Sequence, residues 1–161
     1  MSTVNSKDGT IIAFDESGKG PALIMVGGAM VQRAMDMSAT QLPQHFRVFN
    51  YDRRGRGGSS DTQPFAVERE IEDIEALINE AGGSAYLFGI SSGGALALQA
   101  ALKLGSKVRK LALYEVPYND DPSARQAWKD YRKQLNTLLA EGRNGDAVGL
   151  FMMFVGMPAD Q

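Results

Sequence analysis

The pattern in this chain with the clearest chemical potential is a serine with glycines two residues to either side, Gly89-Ile90-Ser91-Ser92-Gly93. A serine hydroxyl attacks a carbonyl carbon effectively only when it is held accessible, when a base takes its proton, and when donors receive the charge that develops on the carbonyl oxygen. The surrounding residues speak to the first and third of these needs. Apolar Ala85-Tyr86-Leu87-Phe88 leads into the serine, and a stretch of helical character from Gly94 to Leu102 leads out of it. A strand that turns sharply into a helix leaves the serine at a strained corner, with glycines where the two elements pass closely. The helix beginning there aims unpaired N–H groups and the positive end of its dipole at the serine oxygen. The stretch therefore reads as a nucleophile elbow with Ser91 as nucleophile and Gly89 and Gly93 as the elbow glycines. The plainer alternative is a glycine-rich strand-to-helix turn that carries no chemistry.

Elements able to hold such a corner follow from hydrophobic patterning. Residues 3–16 read as two short strands around a turn at Asp8-Gly9. Ala22–Val26 is an unalternating apolar run ending at Gly27-Gly28, which suggests a strand buried on both faces. Residues 31–42 are a weak helix candidate, and Arg47–Tyr51 is the next strand. Over 66–81, Val67, Ile71, Ile74 and Ile78 fall at helical spacing, with Glu68, Glu72, Asp73 and Glu75 on other faces. The strand 85–90, a helix to about Leu104 and a further buried strand from Val108 to Tyr114 complete an alternating pattern. Such alternation predicts a parallel sheet with helices on both faces and sites at the carboxyl ends of its strands. Gly27-Gly28, Asp52, Ser91 and Glu115 occupy those ends.

Beyond Pro117 the pattern changes to two successive helices. Ser123 with Gln126 reads as a capping box, and Ala124, Trp128, Tyr131, Leu135 and Leu138 share one face. A second helix is predicted from Asp146 through Val155. Two helices with no strand between them suggest a lid, so the expected organisation is a core over 1–117 and a helical lid segment over 118–161.

Composition narrows the function classes. The 161 residues are 43% hydrophobic, carry a net charge of −2 with acids and bases interspersed, and include no cysteine. Nothing suggests a nucleic-acid footprint, a membrane span, a disulfide framework or a thiolate metal site. No P-loop or dinucleotide fingerprint is present, and no histidine or acidic cluster has metal spacing. A cytoplasmic protein that needs no cofactor or metal and acts on a small molecule is expected.

With the elbow, the order of strands and Asp52-Arg53-Arg54-Gly55-Arg56-Gly57-Gly58-Ser59 considered together, the sequence resembles the α/β-hydrolase superfamily. Its Asp-x-Arg-Gly-x-Gly-x-Ser signature is met at Asp52, Arg54, Gly55, Gly57 and Ser59. Asp8-Gly9-Thr10 and Gly18-Lys19-Gly20-Pro21 look like that family's opening hairpin. Leu113-Tyr114-Glu115-Val116-Pro117 and the stretch around Gly145-Asp146-Ala147-Val148 resemble lidded bacterial members. The resemblance implies an α/β fold with a mostly parallel sheet flanked by helices, here truncated and including the start of a helical lid. It implies an oxyanion hole made by the backbone N–H groups of Ala29 and Ser92.

Two departures from the family stand out. Members commonly carry His-Gly after the third strand, where this chain has Gly27-Gly28. The family's triad also runs Ser, then Asp or Glu, then His, yet the single histidine here, His45, precedes Ser91 and reads as a loop residue. The expectation is therefore the N-terminal portion of a serine hydrolase. It would act on a small carboxylic ester or lactone through a Ser91 acyl-enzyme, with the acid and histidine supplied by a C-terminal fragment or second chain. The alternative is a non-catalytic module that binds a small apolar ligand or a partner. Ser91 excludes the dehalogenase variant of the family, which needs a carboxylate nucleophile. Glu115 either orients a histidine or caps the following linker, and Asp52, Arg54 and Arg56 read as braces for the turn after the fourth strand. Phe151, Met152, Met153, Phe154 and Met157 either line an acyl pocket or pack a lid helix. A sheet ending at the sixth strand leaves an apolar edge, so the isolated piece is expected to associate.

Overall fold

The computed structural model describes residues 1–35 and 41–156, which fall into two compact units, Met1–Pro117 and Tyr118–Gln161. In the first unit six strands form one mixed sheet: β1 (Ser2–Asn5), β2 (Ile11–Ser17), β3 (Ala22–Val26), β4 (Arg47–Tyr51), β5 (Ala85–Ile90) and β6 (Val108–Tyr114), in the order β1-β2-β4-β3-β5-β6. The opening hairpin is antiparallel, and β2 pairs antiparallel with β4. From β4 onward neighbours are parallel. Because β3 to β6 all run one way, the residues that follow them (Gly27-Gly28, Asp52, Ser91 and Glu115) lie along a single edge of the sheet.

Continuous apolar runs became the central strands because both faces there are covered. Leu23, Ile24, Met25 and Val26 are all buried. Helices α1 (Val67–Glu80) and α2 (Ser92–Leu104) pack with Ile12, Phe14, Ile24, Val26, Phe49, Ala85 and Leu87 into one core. Ile74, Leu77 and Ile78 of α1 are fully buried, each contributing about 1.5–3 kcal/mol by transfer from water. Among the described residues both α-helices of this unit join this one core, which differs from the expectation of helices on both faces. The opposite face holds Leu23, Met25 and Val48, packed by Leu42, Phe46, Tyr86, Phe88 and Ile90. A groove of about 640 Å³ lined by Leu23, Phe46, Tyr86, Phe88 and Leu111 opens there.

Three further expectations are corrected. The strand Val108–Tyr114 is not buried: it is the sheet's edge, and Leu113 and Tyr114 are 42% and 56% exposed. Asp73 does not face solvent but is 1% exposed, which is tolerated because a guanidinium neutralises it. In the 31–42 stretch the described residues form only a short 3₁₀ turn at Arg33–Met35, with another at Leu42–Gln44, while 36–40 lie outside the described residues.

The second unit comprises α3 (Pro122–Ala140) and α4 (Asn144–Phe154). Asp121, rather than Ser123, caps α3, its carboxylate accepting from the N–H groups of Ser123 and Ala124 with Pro122 in the first turn. Gln126 instead donates to Asp130 one turn on. Trp128, Tyr131 and Phe154 join the two helices, with ring centroids 4.4–5.4 Å apart. Met157 falls outside the described residues. Among the described residues no helix is long and apolar enough to cross a membrane.

Candidate active site

Ser91 is the single residue between β5 and α2, and its backbone shows what that position demands. Its φ is +52° and ψ −124°, a conformation that side-chain-bearing residues rarely adopt. The corner is locked from both sides. The Ser91 N–H donates to Tyr114 O on β6 at 2.9 Å, and the Ser91 carbonyl accepts from Gly94 and Ala95 at 2.9 and 3.3 Å. Strain at a non-glycine residue persists only where the surrounding structure over-determines it.

The elbow glycines are required by space. A Cβ on Gly89 would stand 2.5 Å from the Gly94 Cα and 2.8 Å from the Ala97 Cβ. On Gly93 it would stand 2.2 Å from Val26 O and 2.4 Å from Gly27 O. Gly94, which the pattern did not single out, is as constrained, with Val116 Cγ2 at 2.7 Å from the same imagined atom. These contacts draw the end of β3 against the start of α2.

The β3 loop meets the serine directly. A Cβ on Gly28 would lie 3.4 Å from Ser91 Cβ and 3.9 Å from Ser91 Oγ, so Gly28 packs on the Ser91 side chain. Ala29 and Ser92 each adjoin a residue of this contact. Ser92 opens α2, where the first N–H groups have no partner within the helix. The loop and the helix start thus bring Ser91, Ala29 and Ser92 to one place.

Behind them lies a set of buried ion pairs that the signature only partly revealed. Arg54 forms a two-pronged pair with Asp73 of α1 at 2.7 and 2.8 Å and donates to Asp8 at 2.9 Å. Arg53 forms a similar pair with Glu70, both distances 2.7 Å, and its remaining nitrogen reaches Gly27 O and Ser92 Oγ at 3.4 Å. Arg56 donates to Gly28 O at 2.7 Å. Asp52 accepts from the N–H groups of Arg33 and Gly58 at 2.7 and 2.8 Å and pairs with the Arg33 guanidinium. Gly57, at φ +51°, leaves room for the Asp52 carboxylate, which a Cβ there would meet at 2.3 Å. In these contacts Asp52, Arg54 and Arg56 tie turns and loops together.

These contacts set the local electrostatics. The Arg54 hydrogen bond holds the Asp8 carboxyl below the usual carboxylate range. Arg54 is itself raised, first by its hydrogen bond to Asp73. Burial alone would depress Arg53, but the Glu70 carboxylate overcomes it and the net shift is upward. Arg56 is lowered, by burial and then by the like charge of Arg53. Among the described residues no group of three or more His, Cys, Asp or Glu could hold a metal ion.

Of the remaining sequence candidates, His45 lies away from this cluster and Glu115 borders it. His45 precedes β4 and is exposed, beside the start of β3, whereas Ser91 follows β5. The two therefore lie at opposite ends of the parallel strands, roughly 15–20 Å apart at about 3.3 Å per residue. Glu115 follows β6 with φ +51°, one step beyond the Ile90–Tyr114 pairing and so beside Ser91 along the sheet edge, with its side chain exposed. Arg53 was missed because it occupies an unspecified position of the signature. Its partners, 17 and 39 residues away, are not visible in local pattern.

A sheet of this topology, with a strained serine between a central strand and a helix, defines a hydrolase-type α/β core, and residues 23–160 match the alpha/beta hydrolase family. The chain belongs to that family. It is similar to a crystal structure of an alpha/beta hydrolase from Sphaerobacter thermophilus, with 50% identity and a TM-score of 0.83 over 99% of this chain and 62% of that one. It is 34% identical over 91 residues to the proline iminopeptidase PfmaB of Pestalotiopsis fici, covering 54% of this chain and 32% of the relative. It is 31% identical over 103 residues to a pimeloyl-(acyl-carrier protein) methyl ester esterase of Nitrosomonas europaea, covering 63% of this chain and 40% of the relative. The chain thus spans about a third to two-fifths of the length of these curated relatives.

Proposed function

We propose that this chain carries the nucleophile and oxyanion-binding half of a serine hydrolase that acts on a small carboxylic ester or lactone through a Ser91 acyl-enzyme. The observation that carries the reading is the strained Ser91 corner with Gly28 packed on the serine side chain. A backbone conformation costing about 1–3 kcal/mol is retained at a residue whose hydroxyl is its only chemical asset. The methyl ester esterase among the relatives supports an oxygen ester as the bond attacked.

In this mechanism Ser91 Oγ adds to the carbonyl carbon as a base removes its proton. The N–H groups of Ala29 and Ser92 hold the resulting oxyanion, and each such donor is worth about 2.7–4 kcal/mol in the transition state. Collapse expels the alkoxide, which takes a proton, and water then releases the acid from the acyl-enzyme. His45 lies too far from Ser91 to act as the base. The histidine and the acid that orients it therefore come from further polypeptide, on this chain's own continuation or on a second chain.

The test is fluorophosphonate labelling of the purified protein, together with any polypeptide that native mass spectrometry finds bound to it. Modification at Ser91 that disappears in Ser91→Ala is the expected result. A folded sample in which the reagent ignores Ser91 overturns the reading. It would favour the second one, for which the position of His45 speaks: a module that binds a small apolar ligand or a partner without turnover.

A further inference from the structure

We infer that Arg56 is a positioning residue for the oxyanion hole, orienting and polarising the Ala29 N–H through the peptide group that joins Gly28 to Ala29. The inference rests on the reading of Ser91 as a nucleophile with Ala29 as an oxyanion donor.

Three observations lead to it. In a trans peptide the C=O and N–H bonds point in opposite directions, and the Gly28–Ala29 bond is trans. The Arg56 Nη1 donor sits 2.7 Å from Gly28 O. Anchoring that oxygen from one side therefore turns the Ala29 N–H to face away from Arg56. Gly28 itself packs on Ser91, so the plane that Arg56 fixes is the one lying against the nucleophile.

Charge adds to orientation. A hydrogen bond from a cation is shorter and stronger than a neutral one, and a carbonyl so bonded makes the N–H of its own peptide a better donor. Arg53 makes the matching but longer contact to Gly27 O at 3.4 Å, and its charge is neutralised by Glu70. Among the described residues Arg56 has no carboxylate partner of this kind, and its guanidinium is partly buried. Its hydrogen bond is thus made to the peptide rather than to a neighbouring acid. Gly27 and Gly28 have no side chains of their own to fix this loop, and Arg56 braces the Gly28 carbonyl from outside.

The test uses the purified protein, together with any polypeptide that native mass spectrometry finds bound to it, and phenylboronic acid, which mimics the tetrahedral intermediate. The Ser91 Oγ–boron bond forms, the hydroxyl proton passes to buffer, and boron NMR separates the tetrahedral adduct from free trigonal acid. Native chain is expected to form the adduct and Ser91→Ala to lose it. Arg56→Met is expected to bind about tenfold more weakly, a fraction of the 10²–10³ lost when an oxyanion donor is removed outright. Arg56→Lys is expected to recover affinity to within about threefold, and Arg109→Met, a surface change of equal charge, to leave it unaltered.

The two readings fail differently. Adduct formation that ignores Ser91→Ala, or none in the native chain, overturns the nucleophile assignment and this inference with it. A Ser91-dependent adduct that is as tight in Arg56→Met as in native chain overturns the role of Arg56 alone. Should Arg56→Met fail to fold, nitrogen NMR of the native guanidinium decides. Slow rotation of the Arg56 Nη group supports the anchor, and free rotation overturns it.

Discussion

Replacing Ser91 by glycine is expected to make the protein more stable, and replacing Gly105 by alanine to make it less so, for the same reason. The two residues bound α2 and share a backbone conformation, φ +52° and ψ −124° at Ser91, φ +55° and ψ −122° at Gly105. At the helix's far end, where no chemistry is asked, the position is filled by the residue that adopts it freely. At the near end it is filled by serine. Such dihedrals cost a residue bearing a Cβ about 1–3 kcal/mol, and the greater freedom of glycine in the unfolded chain offsets about 0.5–1 kcal/mol. The net change is about 0.5–2 kcal/mol in each direction. An added Cβ at Gly105 meets nothing within 4 Å, so that substitution reports backbone strain alone. Ser91→Ala, which keeps the Cβ, serves as the reference and is expected to match the native chain. Urea unfolding should be followed by far-ultraviolet circular dichroism, because the sole tryptophan, Trp128, belongs to the second unit. A shift of roughly half a molar in midpoint is expected for each variant. If Ser91→Gly is no more stable than Ser91→Ala, or Gly105→Ala is neutral, the strain argument fails.

Gly93→Ala is expected to cost about 3 kcal/mol or more, since its Cβ would strike the backbone carbonyls of Val26 and Gly27; a thermal midpoint near that of the native protein would contradict this packing. Asp8 gives a pH prediction. Its carboxyl is held below the ordinary value near 3.9, first by the Arg54 hydrogen bond, so its contribution is fully present above about pH 4 and is lost as pH falls through the depressed value. Asp8→Asn should therefore destabilise by about 1–3 kcal/mol at neutral pH, and the gap from the native protein should close on acidification. A gap independent of pH between neutral and pH 2 would refute the assignment.

The strands Ala22–Val26, Arg47–Tyr51, Ala85–Ile90 and Val108–Tyr114 were readable to the residue because apolar runs bounded by glycine or charge leave little freedom in placing their ends. Pattern alone did not reveal which of them would be buried. Val108–Tyr114 ends in the apolar run Leu111-Ala112-Leu113-Tyr114 like a central strand, and the pairing order makes it an edge. Asp73 showed the converse: at helical spacing it belongs with the acids, and its burial depends on Arg54, 19 residues away. The elbow was legible because strand, turn and helix are contiguous in sequence. The Gly28 contact with Ser91 and the reach of Arg53 to Ser92 join distant segments, and no local periodicity encodes them.

Arg54 answers to two carboxylates from separate parts of the chain, Asp8 in the first turn and Asp73 in α1. Removing Arg54 or Asp73, each 1% exposed, strands its partner and costs about 3–5 kcal/mol, whereas exchanging the pair for apolar residues of similar volume is nearly neutral. Divergence at these positions is consequently gated. A lineage passes from one solution to another only by changing Arg54 and Asp73 together or by crossing an intermediate that scarcely folds. The same holds for Arg53 and Glu70. The polar layer beneath the serine therefore acts as a ratchet on drift, holding a surface loop to a tempo of change that its partial exposure alone would not impose.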